Sequence, residues 1–185
     1  MARIISGTQK GRRLASVPGQ GTRPTSDRVK EALFSRLEGI NAIDDAVVAD
    51  LYAGSGALGL EAVSRGARVL EAVERAEAAW RVLRRNAEPF GDAVRAVKGE
   101  ALKYLASRAG EPIELLFLDP PYALDEAALA KVLAASVPHL DEAATVVVER
   151  DSRAPEPLWP AGMSAFHQRT YGSTALWLAE VTPSV

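Results

Sequence analysis

The stretch VVADLYAGSGALGLEA at residues 47–62 decides the fold of this chain. It starts as an apolar run that predicts a strand, passes glycines at positions 54, 56 and 59, and continues into a helix. A strand, a GxGxxG loop and a helix form the fingerprint of a nucleotide-binding βαβ unit. Glu74 lies about twenty residues further on, where such units carry an acid that binds a ribose. A tight turn that binds no ligand would show the same glycines.

The chain on both sides of this stretch alternates between apolar strands and helices. We predict strands at 46–51, 67–73, 93–97, 113–118 and 143–149, and helices from the glycine loop to Arg65 and at 76–88, 101–108 and 126–136. Apolar runs separated by helices indicate parallel strands covered on both faces, which is a doubly wound, Rossmann-like α/β sheet. Two further strand-like runs, 163–170 and 174–180, flank YGS and predict a terminal hairpin with one antiparallel strand.

Asp50, at the end of the first predicted strand, indicates which ligand the glycine loop binds. Its carboxylate would repel the pyrophosphate of NAD but attract the sulfonium and ammonium groups of S-adenosylmethionine. Glu74 would accept hydrogen bonds from both ribose hydroxyls, and Glu100 with Ala101 would flank the adenine, although an exposed glutamate at a helix start would look the same. We therefore expect S-adenosylmethionine as the cofactor. The expected cofactor-binding residues are Asp50, Ala53, Gly54, Ser55, Gly56, Glu74, Arg75, Glu100, Ala101 and Asp119.

The most apolar predicted strand runs directly into an acid and two prolines, in LLFLDPPY at residues 115–122. Ligands of open α/β sheets bind beyond the carboxyl ends of the strands, so Asp119 is expected to face the glycine loop. The exocyclic amine of a nucleobase is a poor nucleophile, and the Asp119 carboxylate and Pro120 carbonyl would orient it for attack. Tyr122 offers a face on which a flipped base stacks. The candidate catalytic residues are thus Asp119, Pro120 and Tyr122, and a capped strand end with a packed tyrosine is the alternative interpretation.

The N-terminal part of the chain is basic, whereas the remainder is acidic. Residues 1–36 hold eight basic and two acidic side chains, and the other residues hold 14 basic and 22 acidic ones. A basic segment on an acidic body indicates a polyanionic partner, although a solvated surface would have the same composition. Two β-like runs, 3–6 and 12–17, predict a hairpin outside the core, and Thr25 or Ser26 is expected to cap a helix that ends at Glu38. The candidate contacts to this polyanion, taken as RNA where the resemblance described below is included, are Arg3, Lys10, Arg12, Arg13, Arg23, Thr25, Arg28 and Lys30.

Composition excludes several other classes of protein. With 185 residues, 48% hydrophobic and 25% charged, the chain has the composition of a soluble domain and has no apolar run long enough for a membrane span. Without cysteine it has no disulfide or thiolate chemistry, and its two histidines, His139 and His167, lie far apart in sequence. The first residues lack the apolar stretch of a secretion signal. We expect a cytoplasmic monomer that binds no metal.

Several motifs together resemble those of the bacterial RsmD-type methyltransferases. They are RIISGTQKGRRL (3–14), RPTSDRVKEALF (23–34), DLYAGSGALGLEA (50–62), VER (73–75), FLDPPY (117–122) and YGST (171–174). The resemblance implies methyl transfer from S-adenosylmethionine to the exocyclic N2 amine of a guanine in 16S rRNA, with rRNA or a small-subunit ribosomal particle as the partner. It also implies a seven-stranded sheet in the order 3-2-1-4-5-7-6 with strand 7 antiparallel. Many members follow the acid of strand 2 with another polar or acidic residue, whereas Arg75 follows Glu74 here.

These observations divide the chain into a basic RNA-binding extension, 1–40, and a cofactor-binding methyltransferase domain, 41–185. Three other functions stay open. A DNA amino-methyltransferase acting on adenine or cytosine would use the same DPPY motif, but this chain has little room for a separate target-recognition domain. An NAD-dependent oxidoreductase would use the glycine loop, but Asp50 and the lack of an obvious hydride-relay residue argue against it. A non-catalytic RNA-binding protein would not need both Asp119 and Glu74.

Overall fold

The computed structural model describes residues 2–19 and 25–182, and within these residues seven strands form a single sheet. The strands are β1 (Val47–Asp50), β2 (Val69–Glu74), β3 (Val94–Lys98), β4 (Ile113–Leu118), β5 (Leu140–Asp151), β6 (Met163–Tyr171) and β7 (Thr174–Val181). Their order in the sheet is β3-β2-β1-β4-β5-β7-β6. Neighbouring strands from β3 to β5 are parallel, and β7 is antiparallel to both β5 and β6. The predicted α/β fold, its strand order and its antiparallel seventh strand are confirmed.

Helices pack on both faces of this sheet. They are α1 (Asp27–Gly39), α2 (Ala57–Ser64), α3 (Glu77–Ala87), α4 (Ala101–Ser107) and α5 (Glu126–Ser136). Successive side chains of a strand point to opposite faces. Accordingly, Leu115 and Phe117 of β4 belong to the core cluster that includes α1, α2 and α3, whereas Leu116 and Leu118 belong to the cluster with α4 and α5. This explains why the strand is apolar at four successive positions, from Leu115 to Leu118, rather than at alternate ones.

Helix α1 begins where the sequence indicates. The Ser26 hydroxyl caps it by accepting a hydrogen bond from the backbone N–H of Val29, and the apolar side chains of Val29, Leu33 and Leu37 are buried. Phe34, also on α1, packs against Phe117 of β4 with ring centroids 5.9 Å apart. Burial of each large apolar side chain contributes about 1.5–3 kcal/mol, so α1 is fixed firmly to the sheet.

The N-terminal segment differs from its prediction. A single antiparallel bridge between Arg3 and Arg13 replaces the two predicted strands. Ile4 and Leu14 have no exposed surface and belong to the same core cluster as α1, α2 and α3. Gly7, with φ +85°, lies so close to α2 that an added Cβ would be 1.7 Å from the carbonyl oxygen of Ser64. The expectation that this hairpin lies outside the core is therefore wrong.

Strand β5 is longer than the apolar run that predicted it. It runs from Leu140 to Asp151, beyond the predicted range 143–149 at both ends. Its last residue pairs with Thr174, the first residue of β7. The extension at the carboxyl end comes from this pairing, and at the other end Leu140 is paired with Ile113 of β4. Local hydrophobicity does not encode such pairing with distant strands.

Candidate active site

Acidic side chains cluster at the carboxyl edge of the sheet. They are Asp50 at the end of β1, Glu74 at the end of β2, Asp119 directly after β4 and Glu149 near the end of β5. Asp50 is paired with Ala72 of β2 and with Phe117 of β4, and Phe117 is paired with Val147 of β5. Because side chains alternate along a strand, the acids two positions further on in β2, β4 and β5 are oriented to the same face as Asp50. The four carboxylates thus lie on the side of the sheet that α1, α2 and α3 cover.

The glycine loop between β1 and α2 is held in one conformation by backbone hydrogen bonds. The N–H of Ala53 donates to the carbonyl of Val73 (3.0 Å), and the N–H of Gly56 donates to the carbonyl of Ala53 (2.7 Å). Gly54 and Gly56 have φ of +54° and +90°, the left-handed region that favours glycine. At Gly56, an added Cβ would also lie 2.7 Å from a methyl group of Leu83. At Gly54, an added Cβ would meet no atom within 4 Å, so the loop leaves open space above its backbone.

Asp50 is a buried acid with 2% of its surface exposed. Burial raises its pKa to about 7; hydrogen bonds from the backbone N–H groups of Tyr52 and Gly59 oppose this change, and the charges of Glu74 and Glu149 add to it. Among the described residues, no lysine or arginine forms an ion pair with Asp50. A cationic ligand would therefore find an uncompensated carboxylate at the base of the loop.

Glu74 is fixed by two backbone donors. Its Oε2 accepts a hydrogen bond from the N–H of Gly54 (3.0 Å), and its Oε1 accepts one from the N–H of Ala76 (2.8 Å). Each oxygen keeps a lone pair for another donor. The carboxylate is therefore oriented beside the glycine loop, where the sequence predicted a ribose-binding acid.

The residues predicted to flank the adenine lie at the adjacent strand end. The N–H of Gly99 donates to the Glu74 carbonyl (3.1 Å), which holds the end of β3 against the end of β2. Ala101 is buried at the start of α4, whereas Glu100 and Arg75 are exposed. The nearest cation to the Glu100 carboxylate is the Lys103 ammonium, 4.0 Å away. Their roles in cofactor binding stay predictions.

The DPPY segment presents an exposed acid and an exposed aromatic ring. Asp119 is open to solvent, Pro120 is buried, and Tyr122 has 66% of its surface exposed. Although the residue keeps solvent-accessible surface, many protein atoms surround its carboxylate, and the resulting desolvation, with further contributions from the charges of Glu149 and Asp50, raises the pKa of Asp119 well above its ordinary value. The following loop is held by Arg150, which donates to the Leu124 carbonyl (3.2 Å) and pairs with Glu126. Tyr122 therefore projects from a segment whose base is anchored.

Glu149 is a site residue that the sequence analysis did not identify. Its two carboxylate oxygens accept hydrogen bonds from the Thr25 hydroxyl at 2.9 and 3.1 Å, across 124 positions of sequence. Burial raises its pKa, and its negative charge in turn raises the pKa of Asp119. The signal was present, because VVVER repeats the pattern of an apolar run followed by an acid that led us to Asp50 and Asp119. Thr25, predicted to contact RNA, uses its hydroxyl to orient this acid.

Basic residues of the N-terminal segment have three different environments. Lys10, Arg13 and Arg28 are exposed, and so are Arg3 and Arg12, which bond to Asp27 (2.9 Å) and Gln9 (2.7 Å). Arg23 lies outside the described residues. Lys30 is 1% exposed: its ammonium donates to the Arg3 carbonyl (2.5 Å) and lies 3.3 Å from the Glu61 carboxylate. The prediction that Lys30 contacts RNA is wrong, because its ammonium is buried and interacts with groups inside the protein.

The described residues contain no group of three or more side chains suited to hold a metal ion. In the same part of the chain, the helices are too short or too polar to cross a bilayer.

Comparison with known proteins gives consistent matches along the chain. The model of the family described as "Conserved hypothetical protein 95" matches residues 2–180. Ribosomal RNA small subunit methyltransferase D of Escherichia coli (strain K12) is 36% identical over 175 residues, covering 94% of this chain and 86% of the relative. Among solved structures, the yhhF protein of Escherichia coli has a TM-score of 0.84 at 33% identity and covers 97% of each chain. A hypothetical protein of Thermus thermophilus has a TM-score of 0.79 at 32% identity, covering 98% of this chain and 100% of that one.

The resemblance seen in the sequence motifs is thus confirmed over almost the whole chain. The strand order and these relatives imply S-adenosylmethionine as the cofactor. Because the family model spans nearly all residues, this chain belongs to the RsmD family of methyltransferases, the family described as conserved hypothetical protein 95.

Proposed function

We propose that this protein transfers a methyl group from S-adenosylmethionine to the exocyclic N2 amine of a guanine in 16S rRNA. One observation carries the proposal: the glycine loop and Glu74 share a sheet edge with Asp119, Pro120 and the exposed ring of Tyr122. Membership of the RsmD family and the name of the Escherichia coli relative support small-subunit rRNA as the substrate class.

The residues at the ends of β1 and β2 fit this cofactor. The open space above Gly54 admits a ligand close to the backbone. Asp50 supplies a buried carboxylate for the ammonium group, and Glu74 keeps lone pairs for the two ribose hydroxyls. When bound, the cofactor supplies an electrophilic methyl group on a positively charged sulfur. A pyrophosphate in the same place would meet Asp50 as a repulsive charge, which argues against a nicotinamide cofactor.

The DPPY segment would hold the acceptor base. The Asp119 carboxylate and the Pro120 carbonyl would each accept one N–H of the guanine amine and orient its lone pair toward the methyl group. The exposed ring of Tyr122 would stack on the flipped base, and such stacking contributes about 1–3 kcal/mol. A flipped base is needed because an amine inside a helix cannot reach the sheet edge.

Asp119 also has a suitable environment for the departing proton. Attack by the amine nitrogen places positive charge on that nitrogen, so its N–H becomes strongly acidic and is already donated to the Asp119 carboxylate. The surroundings that raise the pKa of Asp119, the largest cause being desolvation, make this oxygen a better acceptor of that proton than an ordinary aspartate. Glu149 increases the effect because its charge repels that of Asp119.

The proposal is tested with the variant Asp119→Ala. We expect it to abolish transfer of radiolabelled methyl groups to small-subunit particles from a strain that lacks the enzyme. The affinity for S-adenosylhomocysteine, measured by calorimetry, should stay within about two-fold because the carboxylate acts on the acceptor. Asp92→Ala, which removes an exposed aspartate after α3, is the matched control and should keep full activity.

Nucleoside analysis of the labelled product decides the target. Label in N2-methylguanosine supports the proposal. If a parallel assay with duplex DNA labels adenine or cytosine while the particles stay unlabelled, the DNA amino-methyltransferase alternative replaces it. A loss of cofactor affinity in parallel with activity would make Asp119 a cofactor residue.

A further inference from the structure

A groove of about 470 Å³ lies between the start of α1 and the tip of the β6–β7 hairpin, outside the site described above. It is lined by Ser26, Arg28 and Val29 on one side and by Arg169, Thr170, Tyr171 and Gly172 on the other. Arg28 and Arg169 are both exposed, and the Arg169 guanidinium lies 5.6 Å from the centroid of the Tyr171 ring. Two cations from distant parts of the chain thus meet across one depression.

The charges of α1 are sorted between two sides of the helix. Its acids Asp27, Glu31 and Glu38 are neutralised by Arg3 and Arg65, at distances between 2.9 and 3.2 Å. Arg28 and Arg36, eight positions apart, share another side. Among the residues that the structure describes, neither they nor Arg169 has an ion-pair partner.

The side with Arg28 and Arg36 is turned toward β6. His167 of β6 has its pKa lowered by desolvation and, to a smaller extent, by the charges of Arg36 and Arg169. Both guanidinium groups are therefore close enough to this imidazole to disfavour a further positive charge. The groove has a surplus of positive charge in a protein whose net charge is −2.

The groove opens toward the edge of the sheet that carries the DPPY segment. The pairing of Thr174 with Asp151 places the tip of the β6–β7 hairpin at the carboxyl end of β5, two residues beyond Glu149. On the other wall, Thr25 precedes Ser26 and bonds to Glu149. A polyanion lying in the groove would thus approach the site where we place the acceptor base.

We propose that this groove binds the phosphate backbone of the RNA beside the target guanine, with Arg28 and Arg169 as the phosphate contacts. Unpaired arginines favour phosphate because the guanidinium donates two parallel hydrogen bonds to its oxygens. Tyr171 offers a flat apolar surface under Arg169 for a sugar or a base. Sequence analysis had pointed to Arg28 but not to the β6–β7 hairpin. This inference rests on RNA being the substrate.

The test compares Arg28→Gln and Arg169→Gln with Lys131→Gln. The control removes one exposed positive charge from α5, on the opposite face of the sheet. Each groove variant is expected to raise KM for small-subunit RNA by about three- to ten-fold and to leave kcat unchanged. The log–log slope of RNA affinity against salt should become shallower by about 0.7–0.9 per removed contact. The control should match the wild type in all three quantities.

RNA binding is measured directly, by fluorescence anisotropy with a labelled RNA fragment, alongside methyl transfer. This separates RNA binding in the groove from RNA methyl transfer. If the wild type binds RNA through these arginines but methylates no RNA, the proposed methyl transfer is contradicted and the proposed binding is supported. Unchanged RNA affinity and an unchanged salt slope in both variants would contradict RNA binding in the groove. The proposed methyl transfer would not be affected by that result. A loss seen only on protein-containing particles, with no change on naked RNA, would show that the groove contacts a protein instead.

Discussion

Asp50 links cofactor binding to the stability of the empty protein through its charge. Its ordinary pKa of 3.8 is raised to about 7 by burial. At about 1.4 kcal/mol per unit, ionised Asp50 costs the empty fold on the order of 4 kcal/mol. The folded state holds the proton more tightly than the unfolded state, so this part of the stability is fully present below pH 3.8 and is lost as the pH rises through about 7.

We therefore predict opposite pH trends for stability and cofactor affinity between pH 5.5 and 7.5. The free energy of unfolding without ligand, from urea denaturation, should fall as the pH rises. The affinity for S-adenosylmethionine should increase, because its ammonium pairs with the ionised carboxylate. Asp50→Asn should flatten both curves, stabilise the empty protein by about 1–4 kcal/mol at pH 7.5 and weaken cofactor binding. Identical affinity for the two proteins throughout this range would exclude contact between Asp50 and the ammonium.

Individual site residues could be predicted where a side chain of suitable chemistry stands at the end of a predicted strand. Asp50, Glu74 and Asp119 each follow a recognisable apolar run, and parallel strands bring such ends together. Lys30 could not be assigned in this way. Its place in a basic segment indicated solvent, but its partner Glu61 lies 31 positions away on another helix, and only the packing of α1 against α2 makes the two meet. Long-range pairing of this kind leaves no local pattern.

At the scale of elements, a buried carboxylate joins three parts of the fold. Glu61 of α2 has no exposed surface; it accepts hydrogen bonds from the backbone N–H groups of Ile5 (2.9 Å) and Ser6 (3.0 Å). It also pairs with Lys30 of α1 (3.3 Å) and with Arg65 (2.8 Å). Two backbone donors and two cations satisfy both oxygens. The N-terminal segment, α1 and α2 therefore depend on one side chain for their mutual position.

We predict that Glu61→Gln lowers the free energy of unfolding by about 3–5 kcal/mol, because it leaves Lys30 charged and uncompensated inside the protein. The matched control is Glu31→Gln, which removes an exposed partner of the same Arg65 and should cost less than about 1 kcal/mol. Urea denaturation of both variants measures the difference. Equal losses of unfolding free energy in the two variants would show that burial of Glu61 does not increase its contribution to stability.

At the scale of the whole molecule, the basic N-terminal segment is part of the core. Besides Ile4 and Leu14, it contributes Ala15, whose N–H donates to the Asn86 side chain (2.9 Å) and whose carbonyl accepts from it (3.0 Å). Asn86 also donates to the carbonyl of Ser55 in the glycine loop (2.9 Å). The sequence showed the charge of this segment, but its two buried apolar residues are too few to form a pattern. Asn86 thus connects the glycine loop to the N-terminal segment that we expect to contact RNA.

Deletion of residues 1–17 is therefore predicted to destabilise the protein strongly rather than to release an intact domain. Loss of Ile4 and Leu14 removes about 1.5–3 kcal/mol each, and Glu61 and Asn86 lose buried hydrogen bonds worth about 1–3 kcal/mol each. Together these losses are comparable with the whole stability of an ordinary domain, about 5–15 kcal/mol. Thermal unfolding followed by circular dichroism should show a large fall in Tm or no cooperative transition.

The matched control replaces Lys10, Arg12 and Arg13 by Gln in the full chain. Because these side chains are exposed, Tm should change little while RNA affinity and its salt dependence decrease. A deletion variant that unfolds cooperatively at the wild-type Tm, with unchanged affinity for S-adenosylhomocysteine, would show that the segment is only attached to the fold and not part of it.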